Sequence, residues 1–171
     1  QGFMTTSPLQ LALATAAIAN KGQLLMPQVM MHSQSKNGDL FEEQNLKSNQ
    51  IPIKDINNWE LIIEAMKQTV YGKFGTAKRL NNKLKYSLAG KTGTAQVFGL
   101  DPEEEYIAEN IEEKLRDHAL FTGFAPIEDP QVAIAIIVEN AGSGSSKAAP
   151  LARELLDEYF IKNPVELNTL N

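Results

Sequence analysis

Near the middle of the chain, a lysine, two threonines and a glycine stand side by side as Lys91-Thr92-Gly93-Thr94. Their neighbours in residues 88–97 are rich in strand formers, so this stretch predicts a β-strand. Because side chains alternate along a strand, the Thr92 and Thr94 hydroxyls share one face, about 7 Å apart. Two hydroxyls beside an ammonium group favour a carboxylate ligand, and Gly93 lets a ligand backbone approach closely.

The edge of such a strand can hold an extended peptide by β-augmentation. The backbone N–H of Thr94 would then face a ligand carbonyl, as one half of an oxyanion hole requires. A purely structural strand explains the same residues, because lysine and threonine are common at exposed sheet edges. On these four residues alone, a binding site and a structural strand both stay open.

A nucleotide-binding interpretation of the same residues fails on spacing. Gly90-Lys91-Thr92 resembles the end of a P-loop, but Lys85 occupies the position where that loop needs its first glycine. Strand formers follow the triplet, whereas a P-loop leads directly into a helix.

Composition excludes several classes of function. A net charge of −5 over 171 residues argues against nucleic-acid binding, and one domain is the default at this length. No apolar run approaches the roughly 18 residues that span a membrane. With no cysteine, and with His32 and His118 far apart in sequence, we expect neither a metal site nor a cofactor. The chain starts at Gln1, and we interpret it as a piece of a longer polypeptide.

Three helices are predicted. A capping-box spacing from Ser7 to Gln10 starts a helix over residues 9–19. Apolar residues at helical spacing predict a second helix over about residues 58–70, and a third begins near residues 145–146. The expected buried faces are Trp59, Ile62, Ile63, Met66 and Val70 in the second helix, and Leu151, Ala152, Leu155, Leu156 and Tyr159 in the third.

Three longer strands are predicted at about residues 86–98, 119–125 and 132–139. The last two should form an antiparallel hairpin, because residues 127–130 make a tight turn. The third strand is apolar on both faces, which indicates helices on both sides of it. Residues 133–138 carry that pattern.

The remaining segments carry weaker signals. Residues 23–53 indicate an excursion of short strands and loops, and residues 76–85 a basic loop with a helical turn. The acidic insert 101–117 has its acids early and its bases late, so part of it should be helical. We expect His118 to make a structural or orienting hydrogen bond.

The flanks of the lysine-threonine strand resemble a known family. Residues 90–100 are similar to the third motif of the penicillin-binding transpeptidases. Residues 1–3, 6–10 and 16–22 resemble the segment that follows the second motif, and residues 116–118, 121–126 and 138–140 resemble the strands after the third. The chain thus resembles the C-terminal part of such a domain, within the class B, elongation-type group called penicillin-binding protein 2.

The resemblance implies an α+β fold, with an antiparallel sheet flanked by helices as in the penicillin-binding and serine β-lactamase-like enzymes. It implies that residues 1–162 form the C-terminal part of a transpeptidase domain and that residues 163–171 form a polar tail. The implied activity is peptidoglycan D,D-transpeptidation. A serine attacks the carbonyl of the penultimate D-Ala of a stem peptide, and the acyl-enzyme then passes to an amine on a second stem, whereas a β-lactam acylates the same serine in place of the peptide.

Carried onto this chain, the resemblance assigns Lys91 to the electrostatics and proton network of the site. Thr92 and Thr94 would bind the terminal carboxylate, Gly93 would allow close approach, and the Thr94 N–H would complete the oxyanion hole. The serine motifs of the family are absent. Ser33-Gln-Ser-Lys36 matches Ser-x-x-Lys formally, but it lies in a turn-like polar stretch and is a poor nucleophile candidate. We therefore expect this chain alone to be inactive.

The implied partners are the D-Ala-D-Ala end of the stem peptide, β-lactams, and an upstream segment or companion chain that carries the serine motifs. Through the parent protein they include a SEDS-type glycan polymerase and elongation-complex proteins. The parent would lie at the periplasmic face of the bacterial inner membrane, anchored by an N-terminal helix outside this chain. Two alternatives remain: a D,D-carboxypeptidase or serine β-lactamase relative, and a catalytically silent module that binds a peptide or partner.

Overall fold

The helices and strands follow the periodicities of the sequence closely. The computed structural model describes residues 5–28, 30, 32–37, 40–42, 48–97 and 111–164, with backbone only for 32–34 and 40–42. In chain order the elements are α1 (Pro8–Ala19), β1 (Gln23–Leu25), β2 (His32–Gln34), β3 (Leu40–Glu42), β4 (Ser48–Gln50), α2 (Asn57–Tyr71), β5 (Ala89–Ala95), β6 (His118–Ala125), β7 (Val132–Val138) and α3 (Ala148–Lys162).

The start of α1 confirms the predicted capping box. The Ser7 hydroxyl accepts from the Gln10 N–H at 3.2 Å, and the Gln10 side-chain carbonyl accepts from the Ser7 N–H at 2.9 Å. These two bonds satisfy backbone donors that a helix N-terminus leaves unpaired. One side of α1 is buried, through Thr15, Ala17 and Ala19.

The principal sheet is antiparallel, with the strand order β5-β6-β7. The predicted β6–β7 hairpin is confirmed, and the Gln131 N–H donates to the Ala125 carbonyl at 3.0 Å across its turn. β5 starts later than predicted, at Ala89, and the N–H of the preceding Leu88 donates to the Tyr71 hydroxyl at 3.1 Å. It also ends earlier than predicted, at Ala95, because residues 96 and 97 are not in a strand; residue 98 lies outside the described residues.

Helices cover both faces of this sheet. On one face, Phe121 of β6 lies in a cluster with Val70 of α2 and with Ala149 and Leu156 of α3. On the other, Phe124 of β6 packs with residues of α1 and α2. The predicted α+β fold, an antiparallel sheet flanked by helices, is confirmed.

Helix α2 is one residue longer at each end than predicted. Trp59 and Ile63 are buried, as are Met66 and Val70, so most of the predicted stripe is confirmed. Ile62 is the exception, because 39% of its surface is exposed. It lies one position from Ile63 and therefore about 100° around the helix, outside the contact with the sheet.

The prediction for α3 was wrong in part. The helix starts at Ala148, later than expected, and it buries Ala152 and Leu156. The adjacent row is exposed instead, with Leu151 at 43%, Leu155 at 57% and Tyr159 at 36%. Two neighbouring rows of α3 are apolar, and a flat sheet can contact only one of them over its full length.

The shorter segments match their predictions in kind. Residues 23–53 hold the antiparallel pairs β1–β4 and β2–β3, which are short strands of the kind expected there. A 3-10 turn occupies Lys78–Asn81, and another occupies Glu113–Leu115 within the acidic insert. Residues 101–110 of that insert lie outside the described residues. Among the described helices, none is long and apolar enough to cross a membrane.

Candidate functional site

The lysine-threonine residues lie on β5, at one end of the strand order. One edge of β5 therefore has no strand partner among the described residues. The Lys91 side chain is exposed, and Thr92, Gly93 and Thr94 are half-buried. The structure thus brings the four predicted site residues together on a sheet edge that a ligand can reach.

The cross-strand register divides these side chains between the two faces of the sheet. Lys91 is paired with Thr122, and Thr92 is paired with Phe121, which faces α3. Thr92 and Thr94 therefore share the α3 face, as the alternation predicted. The Lys91 ammonium donates to the carbonyl of the next residue, Thr92, at 2.8 Å. All four residues consequently contribute to one short stretch of edge.

Thr76, which the sequence did not indicate as a site residue, lies next to Thr92. The Thr76 hydroxyl lies 2.8 Å from the Thr92 hydroxyl, within hydrogen-bonding distance. Thr76 belongs to the loop after α2, in Gly72-Lys-Phe-Gly-Thr76. Two glycines close to a helix end signal a tight turn, but no local pattern shows that this turn meets β5.

The loop before α3 lies against β5 more closely than any side chain would permit. A Cβ on Gly144 would collide with the backbone carbonyls of Leu120 and Gly93 and would lie 3.0 Å from the Gly93 nitrogen. A Cβ on Gly93 itself would meet only the Leu120 Cβ, at 3.3 Å. The crowded glycine is therefore Gly144, which the sequence did not single out.

A second threonine pair connects the sheet to α1 beneath Lys91. The Thr15 and Thr122 hydroxyls are hydrogen-bonded to each other, and Thr15 is only 2% exposed. The Thr15 oxygen also lies 2.8 Å from the Leu11 carbonyl, and the Thr122 oxygen lies 3.1 Å from the Ile134 carbonyl. Because each hydroxyl has one proton, one of them donates to its carbonyl while the other donates to its partner hydroxyl. Buried hydroxyls satisfied in this way fix the position of α1 on the strand that pairs with Lys91.

His118 makes the structural hydrogen bond that was predicted for it. Its Nδ1 accepts from the Asn140 backbone N–H at 2.9 Å, and the Asn140 side chain donates to the Lys114 and Arg116 carbonyls. An accepting Nδ1 requires the neutral ring with its proton on Nε2. His118 therefore holds the turn after β7 against the segment that leads into β6.

Within the described residues, no Ser-x-x-Lys sequence begins a helix. Ser33 lies in the short strand β2, and Lys36 in the turn that follows, so the formal Ser-x-x-Lys match does not start a helix. Within the same part of the chain, no group of three or more histidines and carboxylates is arranged to hold a metal ion.

A cavity beside α3 has no β5 residue in its lining. It has a volume of about 480 Å³ and is lined by Lys83, Lys85 and Tyr86, by Arg153, Asp157, Phe160 and Ile161 of α3, and by Pro164. Asp157 accepts from the Tyr86 hydroxyl at 2.9 Å and from Arg153 at 2.7 Å. Burial, and then the hydrogen bond to Asp157, raise the pKa of Tyr86. Since Arg153 also donates to the Leu80 and Asn82 carbonyls, this network has a structural purpose.

Comparison with known proteins gives a consistent picture. A protein-family model described as the penicillin binding protein transpeptidase domain matches residues 1–157. The chain is 38% identical over 160 residues to the peptidoglycan D,D-transpeptidase MrdA of Haemophilus influenzae, which covers 94% of this chain and 24% of the relative. MrdA of Escherichia coli is 37% identical over 163 residues, which is 94% of this chain and 25% of the relative. The chain thus spans about a quarter of the length of these relatives.

Solved structures agree with these relatives. Pseudomonas aeruginosa PBP2 in complex with WCK 5153 matches with a TM-score of 0.74 at 34% identity, over 100% of this chain and 33% of that one. Helicobacter pylori PBP2 in complex with MreC matches with a TM-score of 0.70 at 28% identity, over 94% of this chain and 26% of that one. The family expected from residues 90–100 is confirmed: the chain belongs to the penicillin-binding protein transpeptidases.

Proposed function

We propose that this chain forms the lysine-threonine wall of a peptidoglycan D,D-transpeptidase, whose nucleophilic serine comes from outside residues 1–171. The observation that carries the proposal is the position of Lys91-Thr92-Gly93-Thr94 on a sheet edge without a strand partner in the described residues. The names of the relatives at 37–38% identity support the same reaction.

The substrate carboxylate would bind to the hydroxyls of Thr92 and Thr94. The two side chains share a face and are half-buried, so each can donate to an anion that replaces water at the edge. Hydrogen bonds from neutral donors to an ionised acceptor are stronger than bonds between neutral groups. This pair would recognise the terminal D-Ala carboxylate of a stem peptide and the equivalent carboxylate of a β-lactam.

Lys91 would supply positive potential and a proton donor beside these hydroxyls. Its ammonium group forms no salt bridge in the described part of the chain and donates only to the Thr92 carbonyl. An arriving substrate can therefore compete for it without breaking an ion pair. The cation would favour the anionic ligand and assist proton transfer during acylation.

The Thr94 backbone N–H would form half of the oxyanion hole. In an antiparallel ladder, the N–H and C=O of one residue point to the same edge, and those of the residue two positions on do so too. Because Lys91 reaches the Thr92 carbonyl, we infer that Thr92 and Thr94 direct these groups to the unpaired edge. A serine attacking there would place the carbonyl oxygen, which gains negative charge, next to this donor.

The reaction would follow acyl transfer in two steps. The serine oxygen forms a bond to the carbonyl carbon of the penultimate D-Ala, and the bond to the terminal D-Ala nitrogen breaks with a proton passing to that nitrogen. An amine from a second stem then forms the new amide and releases the serine. A β-lactam would stop at the first step, because its opened ring keeps the leaving nitrogen attached.

The segment with the serine motifs would dock on surfaces that this chain leaves open. Strand β7 is at the other end of the sheet order, and its residues are only half-buried. The exposed row of α3, with Leu155 at 57%, adds apolar surface. Such unpaired edges and apolar rows normally become buried against further structure.

We propose residues 1–162 as the C-terminal part of that larger domain and residues 163–171 as a polar tail.

The wider assembly is inferred from the relatives. One similar structure is Helicobacter pylori PBP2 bound to MreC. We propose that the parent of this chain likewise engages elongation-complex proteins and a SEDS-type glycan polymerase. In this proposal it lies at the periplasmic face of the bacterial inner membrane, through an anchor that is not in this chain.

Fluorescent penicillin tests the proposal directly. The full-length parent should become covalently labelled, and the labelling should disappear after preincubation with unlabelled benzylpenicillin. The isolated chain should stay unlabelled, because the nucleophile is absent from it. A parent that does not label would overturn the proposed activity and favour a silent binding module. Labelling of the isolated chain would show that its own residues include the nucleophile.

A further inference from the structure

We propose that Thr76 is a positioning residue that orients the Thr92 hydroxyl toward the substrate carboxylate. This inference rests on the proposed function of the β5 edge. The contact that carries it is the 2.8 Å approach of the two hydroxyl oxygens, across sixteen residues of sequence.

The backbone on either side of Thr76 is held firmly. The Ala77 N–H donates to the Thr69 carbonyl at 3.0 Å, and the Gly75 N–H donates to the Gly72 carbonyl at 2.9 Å. Ala77 is only 2% exposed, which anchors the loop in the core. Gly75 passes so close to the Thr69 carbonyl that a Cβ would collide with it. The loop therefore presents Thr76 to β5 from a fixed place at the end of α2.

A threonine hydroxyl has one proton to donate and can accept in return. If Thr92 donated to Thr76, it would have no proton left for a carboxylate. If Thr76 donates to Thr92, the Thr92 proton stays free to point at the ligand. An anion at the edge selects the second arrangement, because it needs a donor and repels the oxygen of an acceptor. With substrate bound, Thr76 therefore donates to the Thr92 oxygen and holds that hydroxyl with its proton toward the carboxylate.

The solvent exposure of Thr76 and Thr92 indicates that their hydrogen bond serves ligand binding more than folding. Thr76 is exposed and Thr92 is half-buried, so water competes for both hydroxyls in the free protein. A hydrogen bond in that setting contributes little to folding. Once a ligand excludes water, the chain from Thr76 through Thr92 to the carboxylate becomes polarised and stronger. The contact should thus matter for carboxylate ligands far more than for stability.

The test compares Thr76→Val, which keeps the shape of the side chain, with Thr76→Ser, which keeps the hydroxyl. Second-order rate constants for acylation of the full-length protein are measured with benzylpenicillin and with its methyl ester. T76V should lower the rate constant about tenfold with the free acid and less than about twofold with the ester. T76S should stay within about twofold of the wild type with both ligands. Thr5→Val, at an exposed position before α1, is the matched control and should leave both rate constants unchanged.

The ratio of the two rate constants in one preparation decides the outcome, because the fraction of folded protein cancels. An unchanged ratio in T76V, with either equal losses or no loss, would overturn the positioning role. Failure of T76S to restore the ratio would overturn it as well. If T76V unfolds, Thr76→Ala is measured in the same way. A wild-type protein that reacts with neither ligand would instead overturn the proposed function.

Discussion

Gly144 lies directly against the backbone of Gly93, at the centre of the lysine-threonine strand. A side chain on Gly144 would collide with the carbonyls of Gly93 and Leu120. The loop that leads into α3 therefore rests on the backbone of β5 between the two threonines of the proposed carboxylate site. This contact holds β5 in position, so the edge of the strand is a fixed surface.

Gly144→Ala should be strongly destabilising and should shift β5. Its Cβ has only backbone atoms to displace, so we expect a loss of about 3 kcal/mol or more in the free energy of unfolding. Gly93→Ala is the matched comparison, because its Cβ would meet a side-chain carbon at 3.3 Å. We expect that variant to lose about 1 kcal/mol. Urea unfolding of both variants measures the difference, and equal losses would contradict the close approach of the loop.

Thr94→Val should weaken the recognition of carboxylates while it leaves the backbone N–H in place. Loss of a hydrogen bond to a charged group is worth about 1.5–3 kcal/mol, so acylation by benzylpenicillin should slow by at least tenfold. Thr94→Ser keeps the hydroxyl and should remain near the wild-type rate. The rate constants come from competition with fluorescent penicillin in the full-length protein. An unchanged rate in T94V would remove Thr94 from the carboxylate site.

The Thr15–Thr122 pair should behave as a coupled unit. The two hydroxyls contact each other, and each also lies within hydrogen-bonding distance of a carbonyl of its own or a neighbouring element, so their two protons are shared among three contacts. We expect Thr15→Val to lower the free energy of unfolding by about 1–2 kcal/mol. A double-mutant cycle with Thr122→Val should give a coupling energy of about 1 kcal/mol. Strictly additive losses would show that the two hydroxyls do not interact in solution.

Stability should decline in alkaline solution because of Tyr86. Burial, followed by the hydrogen bond to Asp157, raises the pKa of this phenol above its ordinary value of 10.0. The folded state keeps the proton in a range where the unfolded state has lost it. The stabilisation is therefore complete below about pH 10 and is lost as the pH rises, with a slope of up to about 1.4 kcal/mol per pH unit.

Tyr86→Phe tests this dependence. The variant should be less stable near neutral pH, because the hydrogen bond to Asp157 is gone. It should also lose less stability than the wild type between about pH 9 and pH 11. Urea unfolding at a series of pH values gives both curves. Parallel curves for the two proteins would contradict a raised pKa for Tyr86.

Local patterns predicted the elements well where a single physical requirement determined them. Ser7 and Gln10 are the caps that a helix start needs, and they form the predicted capping box. The β6–β7 hairpin followed from two apolar runs joined by a tight turn. The α3 helix shows where such patterns become insufficient. Its two adjacent apolar rows were equivalent in sequence, and only packing decided that Leu156 is buried and Leu155 exposed.

Residue types at short spacing were enough to indicate the family, the edge strand and its four candidate site residues, because the chain displays them directly. The support beneath and beside that strand became visible only in the folded protein: Thr76 beside Thr92, Gly144 above Gly93, and Thr15 beneath the strand that pairs with Lys91. These hydroxyl pairs and backbone contacts form between segments many residues apart. The spacing of residues within one segment does not predict which distant loop will contact the edge of the folded sheet.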